Sequence, residues 1–200
     1  MRLDEQLRFV AEAGRLKGVL RQTVLAGDGL NRRENSAEHS WHLAMMALVL
    51  GEHAPPGTDM VRVCAMVLVH DLVEIDAGDL FLYADAEAQA RQDAAERAAA
   101  DRIFAILPAG QAAALRQIWD EFTARQTREA KFARALDRLQ PMFENLTAGG
   151  GTWQLHGITA DQVLAVITLI DDGSPALGEV ARDLVSRAIA DGILPPGVAC

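Results

Sequence analysis

Residues 61–74, Val-Arg-Val-Cys-Ala-Met-Val-Leu-Val-His-Asp-Leu-Val-Glu, constrain the fold of this chain more than any other stretch. An apolar run of this length belongs at the centre of a fold, yet it ends on His70, Asp71 and Glu74. Buried charge is costly unless it is paired, hydrogen-bonded or bound to a metal. On a helix, His70 and Glu74 are four apart and share a face, and Asp71 and Glu74 are three apart. The cluster therefore requires partners from elsewhere in the sequence.

The 200 residues fit one domain that can bury a core without disulfide staples. Abundant Ala and Leu at helical spacing indicate an all-α fold. Cys64 and Cys200 form neither a disulfide framework nor a thiolate zinc site, so a reducing cytoplasm is the expected compartment. The start, Met1-Arg-Leu-Asp-Glu-Gln, is charged and does not resemble a secretory signal. No apolar run reaches the roughly 18 residues of a membrane span, so no membrane partner is expected. A net charge of −9 argues against a nucleic-acid polymer as partner. A small phosphorylated ligand stays compatible if a metal and one or two arginines neutralise it locally.

Leu3, Leu7, Val10, Leu16, Leu20 and Val24 mark the stripe of a first helix, with Arg15, Lys17 and Arg21 as solvent-facing cations near its end. Gly27-Asp-Gly29 should terminate it. Asn35, with Glu38 three residues on, predicts a capping box that sets His39 in the first turn of an apolar helix. His42, three residues further, reads as an ordinary hydrogen-bonded core histidine. Thr58 or Asp59 can cap the central helix, and Gly78 can end it in a left-handed conformation that turns Asp79 back toward the cluster. Residues 86–106 predict a charged, Ala-rich helix, and Pro108 opens another with Trp119 and Phe122 inward. Thr127 caps a helix carrying Phe132, Leu136, Leu139 and Phe143, in which Asp137 lies close to the apolar stripe; an ion pair with Arg134 or Arg138 is its alternative role. Pro141 should kink or end that helix. Gly149-Gly-Gly151 predicts a flexible break, with Trp153 and His156 in a loop, before two last helices capped by Thr159 and Ser174.

The searched-for partners are thus His39 and Asp137, which with His70 and Asp71 come from three separate helices. Two imidazoles and two carboxylates suit Mn, Co, Fe, Ni or Zn, and Mg less well. Four protein ligands on one octahedral divalent ion leave two positions for water and substrate.

The order His39…His70-Asp71…Asp137 resembles the HD-domain superfamily of metal-dependent phosphohydrolases. The words Glu34-Asn-Ser-Ala-Glu-His-Ser40 and His70-Asp-Leu-Val-Glu-Ile-Asp-Ala-Gly-Asp79 resemble the branch containing the bacterial 5′-deoxynucleotidases and related human HD-domain proteins. The resemblance covers residues 13–146, leaving 147–200 as a C-terminal helical extension of a single domain. It implies a bundle of roughly seven to nine helices, with His39, His70, Asp71 and Asp137 as metal ligands. It further implies Glu74 as the carboxylate that positions or deprotonates the attacking water, Asp79 as a second active-site acid and Arg21 as the substrate-phosphate ligand. No histidine occurs from residue 72 to residue 136, which favours one metal over the two of other HD branches. The expected activity is a phosphomonoesterase acting on nucleoside 5′-monophosphates or a similar small metabolite. An alarmone-type pyrophosphohydrolase, suggested by Glu74-Ile-Asp76, and a non-catalytic metal or nucleotide binder are the alternatives. A homodimer is the expected assembly.

Overall fold

A computed structural model describes residues 1–27 and 30–197. Asp28 and Gly29 of the expected helix-ending turn, and Cys200, lie outside the described residues. The architecture is helical with one small antiparallel hairpin. Helix α1 (Arg2–Ala13) runs into a 3₁₀ turn, Gly14–Gly18, and then into strands β1 (Leu20–Gly27) and β2 (Leu30–Asn35). The expected first helix is therefore cut short. Leu16, Leu20 and Val24 coincide with a helical period, but Arg21 and Thr23 are buried while Leu20 is half exposed, which is the alternation of a strand.

The hairpin is irregular where it matters. Leu20 pairs with Asn35 and Val24 with Arg33, so Arg21, Gln22 and Thr23 together oppose Glu34. Such a bulge twists a strand and re-aims its side chains. Here it turns Arg21 inward and takes the Gln22 peptide off the ladder. The Gln22 N–H donates to Asp79 Oδ2 (2.9 Å), and its carbonyl accepts from Thr152 Oγ1 (2.9 Å).

Helices α2 (Ser36–Leu50), α3 (Met60–Val69) and α7 (Arg128–Thr147) form the centre. Asn35 and Glu38 make the expected capping box, and Asp59, not Thr58, caps α3. Leu43, Val63, Met66, Val67, Phe132, Leu136 and Leu139 interlock there. After Val69 the chain tightens into a 3₁₀ turn, His70–Val73, and the one-turn helix α4 (Glu74–Ala77), rather than continuing one long helix. Gly78 ends α4 at φ 75°, a conformation only glycine adopts at little cost.

Helices α5 (Ala86–Phe104) and α6 (Ala109–Ala124) cover the 3₁₀ turn, burying Ile103, Phe104 and Trp119 against Leu72 and Val73. Helix α7 continues through Pro141, which has no N–H to offer the carbonyl of Asp137. Gly149, Gly150 and Gly151 all take positive φ and lead directly into the short helix α8 (Gly151–Leu155). Trp153 is thus a buried helical residue and not a loop residue. Helix α9 (Ala160–Gly173) packs on α7, and α10 (Pro175–Ala190) on α9. Among the described residues no helix is long and apolar enough to cross a membrane.

Candidate metal centre and its cavity

His39 sits in the first turn of α2, His70 and Asp71 on the 3₁₀ turn, and Asp137 in the middle of α7; all four are buried. Their donor atoms converge. His39 Nε2 lies 3.1 Å from Asp137 Oδ1, and His70 Nε2 lies 2.9 Å from Asp71 Oδ1 and 3.8 Å from Asp137 Oδ1. One donor atom from each of His39, His70 and Asp137 fits within 4.8 Å of the other two. Ligands at right angles about an ion with bonds near 2.1 Å stand roughly 3 Å apart, so these spacings suit a shared cation.

The hydrogen bonds behind the rings strengthen that reading. Gln140 donates from Nε2 to Glu34 Oε1 (2.8 Å), which fixes its amide so that Oε1 faces His39 Nδ1 at 3.1 Å. His39 must then carry its proton on Nδ1 and present a lone pair from Nε2. His70 Nδ1 likewise faces the Val67 carbonyl at 2.9 Å. Its Nε2 is buried and, although close to Asp71, has no aligned hydrogen-bond partner. Lone pairs aimed at carboxylates at such distances repel unless a cation or a proton lies between them. Such a donor set, with hydrogen bonds behind its rings, is one that could hold a metal ion.

Electrostatics point the same way. Burial opposes charge on His70, but Asp71 and Asp137 raise its pKa to about 10, so a proton competes for the metal's place. Burial would raise Asp71, yet His70 and Arg21 hold it near 2. Asp137 stays well below the carboxylate range, against its burial, through Arg138 above all and Arg134 in addition.

Glu74 and Asp79 flank the centre. Glu74 Oε2 accepts from Ser36 Oγ (2.6 Å), and burial with the neighbouring Asp71 pushes its pKa well up. Asp79 is raised mainly by burial and is anchored by the Gln22 N–H. Arg21 is not a solvated helix end. Its Nη1 is 2.8 Å from Asp71 Oδ2, 3.9 Å from Glu74 Oε1 and 3.8 Å from Asp79 Oδ1, and its Nε is 3.4 Å from Glu34 Oε2. Burial disfavours its charge, but these acids raise its pKa above the ordinary value. Arg32 instead pairs with Glu38 at the surface, Arg33 bonds the carbonyls of Arg21 and Leu20, and Asp76 pairs with Arg102 away from the cavity.

The centre opens into a cavity of about 450 Å³. Its lining includes Arg21, Asp71, Glu74 and Asp79 as well as Trp119, Phe122, Arg134, Arg138 and Trp153. Sequence reasoning missed Gln140, Glu34 and Ser36 as supports, although Glu34 and Ser36 lie within the quoted Glu34–Ser40 word. It treated Arg134 and Arg138 only as neutralisers of Asp137. Their position three before and one after Asp137 was the available signal. His42, half buried beside Glu144 and Gln140, belongs to the outer support and not to the centre.

The family model of the HD domain matches residues 13–177. The chain belongs to the HD-domain family. The match continues beyond residue 146 and takes in α9. Relatives include the 5′-deoxynucleotidase HDDC2 of Danio rerio, 28% identical over 142 residues, covering 71% of this chain and 68% of that protein. The human 5′-deoxynucleotidase HDDC2 is 29% identical over 138 residues, covering 69% and 65%. The chain therefore spans about two thirds of the length of these relatives. The crystal structure of a predicted metal-dependent phosphohydrolase from Magnetospirillum magnetotacticum MS-1 superposes with a TM-score of 0.90 at 47% identity, over 98% of this chain and 99% of that one.

Proposed function

We propose that this protein is a divalent-metal-dependent phosphomonoesterase acting on small nucleotides, most directly nucleoside 5′-monophosphates. The observation that carries the reading is the convergence of His39, His70, Asp71 and Asp137 beside Glu74, on the wall of a cavity large enough for a small ligand. The phosphohydrolase and 5′-deoxynucleotidase names of its relatives support it.

His39, His70, Asp71 and Asp137 would hold one ion, and the nitrogen/oxygen set favours Mn, Co, Fe, Ni or Zn over Mg. When bound, the ion supplies Lewis acidity toward a phosphate oxygen and acidifies water. Glu74 takes the proton of the attacking water. Ser36 fixes its Oε2, leaving Oε1 toward Arg21 and the cavity. Arg21 gathers Asp71, Glu74 and Asp79 into one constellation and adds positive charge for the phosphate. Asp79, held by Gln22, orients water or substrate. The assembly is a homodimer, for which the exposed Trp41, Met45, Leu48 and Val49 on α2 offer an apolar face. The compartment is the reducing cytoplasm, consistent with free Cys64.

The test is turnover on a panel of nucleoside 5′-monophosphates, with the protein chelated and then reloaded with each metal. Metal-dependent phosphate release from at least one is expected. No release from any of them, with metal bound, would sink the reading and favour a binding protein.

A further inference from the structure

The inward seam of α5 has two halves. Toward its C-terminus Ala99, Ala100, Ile103 and Phe104 are buried in one core cluster with Leu72 and Val73. Toward its N-terminus the same seam, by helical spacing, carries Gln89, Gln92 and Glu96, all half-buried and all lining the cavity. An inward helix face is ordinarily apolar, and polar side chains on it require partners. Gln92 has them. Its Nε2 donates to the Gly78 carbonyl (2.7 Å) and to Glu96 Oε1 (3.1 Å), which uses both amide hydrogens. Glu96 is only half satisfied. Among the described residues it forms no ion pair, and its Oε2 accepts no hydrogen bond. Burial raises its pKa, against the hydrogen bond from Gln92. A carboxylate oxygen withdrawn from water is costly unless a donor reaches it. The roles given to Glu74, Asp79 and Arg21 make no use of it.

We propose that Glu96 is a specificity-determining residue of this cavity, its free carboxylate oxygen accepting a hydrogen bond from the uncharged nucleoside part of the substrate. A carboxylate repels phosphate and attracts O–H and N–H donors. A nucleoside offers both, on its sugar and on its base. Glu96 thus complements the part of a nucleotide that the metal ligands and Arg21 leave unaddressed. Gln92 holds the acceptor in register with the chemistry, because it also bonds the turn at Gly78 that leads into Asp79. A site built to bond such a donor rejects analogues that lack it. The proposal rests on the nucleotide reading for its substrate and deepens it by naming a residue that selects the nucleoside.

Calorimetric titration of the metal-loaded protein with two probes tests this without turnover. One probe is inorganic phosphate, and the other is a nucleoside 5′-phosphonate, which cannot be hydrolysed. E96A should weaken phosphonate binding by about 10- to 100-fold, the range for loss of a charged hydrogen bond. Phosphate affinity and bound metal should match wild type. E96Q, which keeps an acceptor but no charge, should recover part of the loss. In turnover, E96A should raise KM for a nucleoside 5′-monophosphate with little change in kcat. Phosphonates lacking one sugar hydroxyl, or the amino group of the base, identify the donor: the one that matters costs affinity in wild type and none in E96A. Equal phosphonate affinity in wild type and E96A overturns the proposal. A parallel loss of phosphate binding also overturns it, since Glu96 would then act only through Gln92 and the Gly78 turn. If the phosphonate binds through Glu96 but no nucleotide is hydrolysed, the proposal stands and the phosphomonoesterase reading falls. If nucleotides are hydrolysed with unchanged KM in E96A, the reverse holds.

Discussion

Glu74 and Gln140 do opposite kinds of work at the residue scale. Glu74→Gln keeps the shape and the Ser36 contact but removes the base, so kcat should fall by about 10²–10⁴-fold with metal still bound. Intact activity would reduce Glu74 to a structural acid. Gln140 is fully buried and does not line the cavity; it fixes the His39 proton on Nδ1 and joins that ring to Glu34. Gln140→Leu should lower metal affinity by about 10- to 100-fold, as measured by competition with a chromophoric chelator. Unchanged affinity would mean that packing alone orients His39. Arg21→Ala should cost both metal occupancy and substrate affinity, because Arg21 bonds Asp71 directly. The buried His/Asp cluster was legible in the sequence because His70, Asp71 and Asp137 interrupt apolar stripes, where an unpaired charge is intolerable. Gln140 was not legible. A neutral side chain on such a stripe carries no signal until the atom it faces is known.

At the scale of elements, α7 is the backbone of the site: Asp137, Gln140, Arg134 and Arg138 all project from it. Helix α9 packs along it, and Gly173 sets the distance. A Cβ built there would stand 2.3 Å from the Lys131 carbonyl oxygen and 2.7 Å from Ala135 Cβ. Gly173→Ala should therefore lower stability by about 1–3 kcal/mol, read as a drop in melting temperature. An unchanged melting temperature would show that α9 yields freely. On α2, the outward residues Trp41, Met45, Leu48 and Val49 support a two-chain mass in light scattering at micromolar concentration, and Leu48→Glu should reduce it to one chain with metal retained. A wild-type monomer would reject the dimer. The hairpin was the element least legible in the sequence. Leu16, Leu20 and Val24 keep a helical spacing by coincidence, and the inward residues of β1 are polar, so the strand alternation carries no hydrophobic contrast. Arg21 was still singled out, through resemblance rather than through its local structure.

For the whole molecule, the proposed metal centre would join segments that are far apart in the chain and so link metal occupancy to folding. The pH dependence follows from His70. Its folded pKa of about 10 in the metal-free protein lies above the ordinary 6.5, so its protonated form contributes stability below about 6.5. That contribution is lost as pH rises toward 10. The loaded protein carries a neutral imidazole on the ion and escapes this loss. The gap in melting temperature between loaded and chelated protein should therefore widen from pH 6.5 to 9. A constant gap would mean that no proton replaces the metal at His70. The bulge in β1 gives the molecule a built-in reporter. The Gln22 amide proton rests on Asp79 and not on a neighbouring strand, while the carbonyl of the same residue is held from α8 by Thr152. Its resonance in a nitrogen–proton correlation spectrum should therefore lie apart from the other strand amides. It should move when the cavity fills, so that a single backbone signal reports occupancy without a label at the active centre.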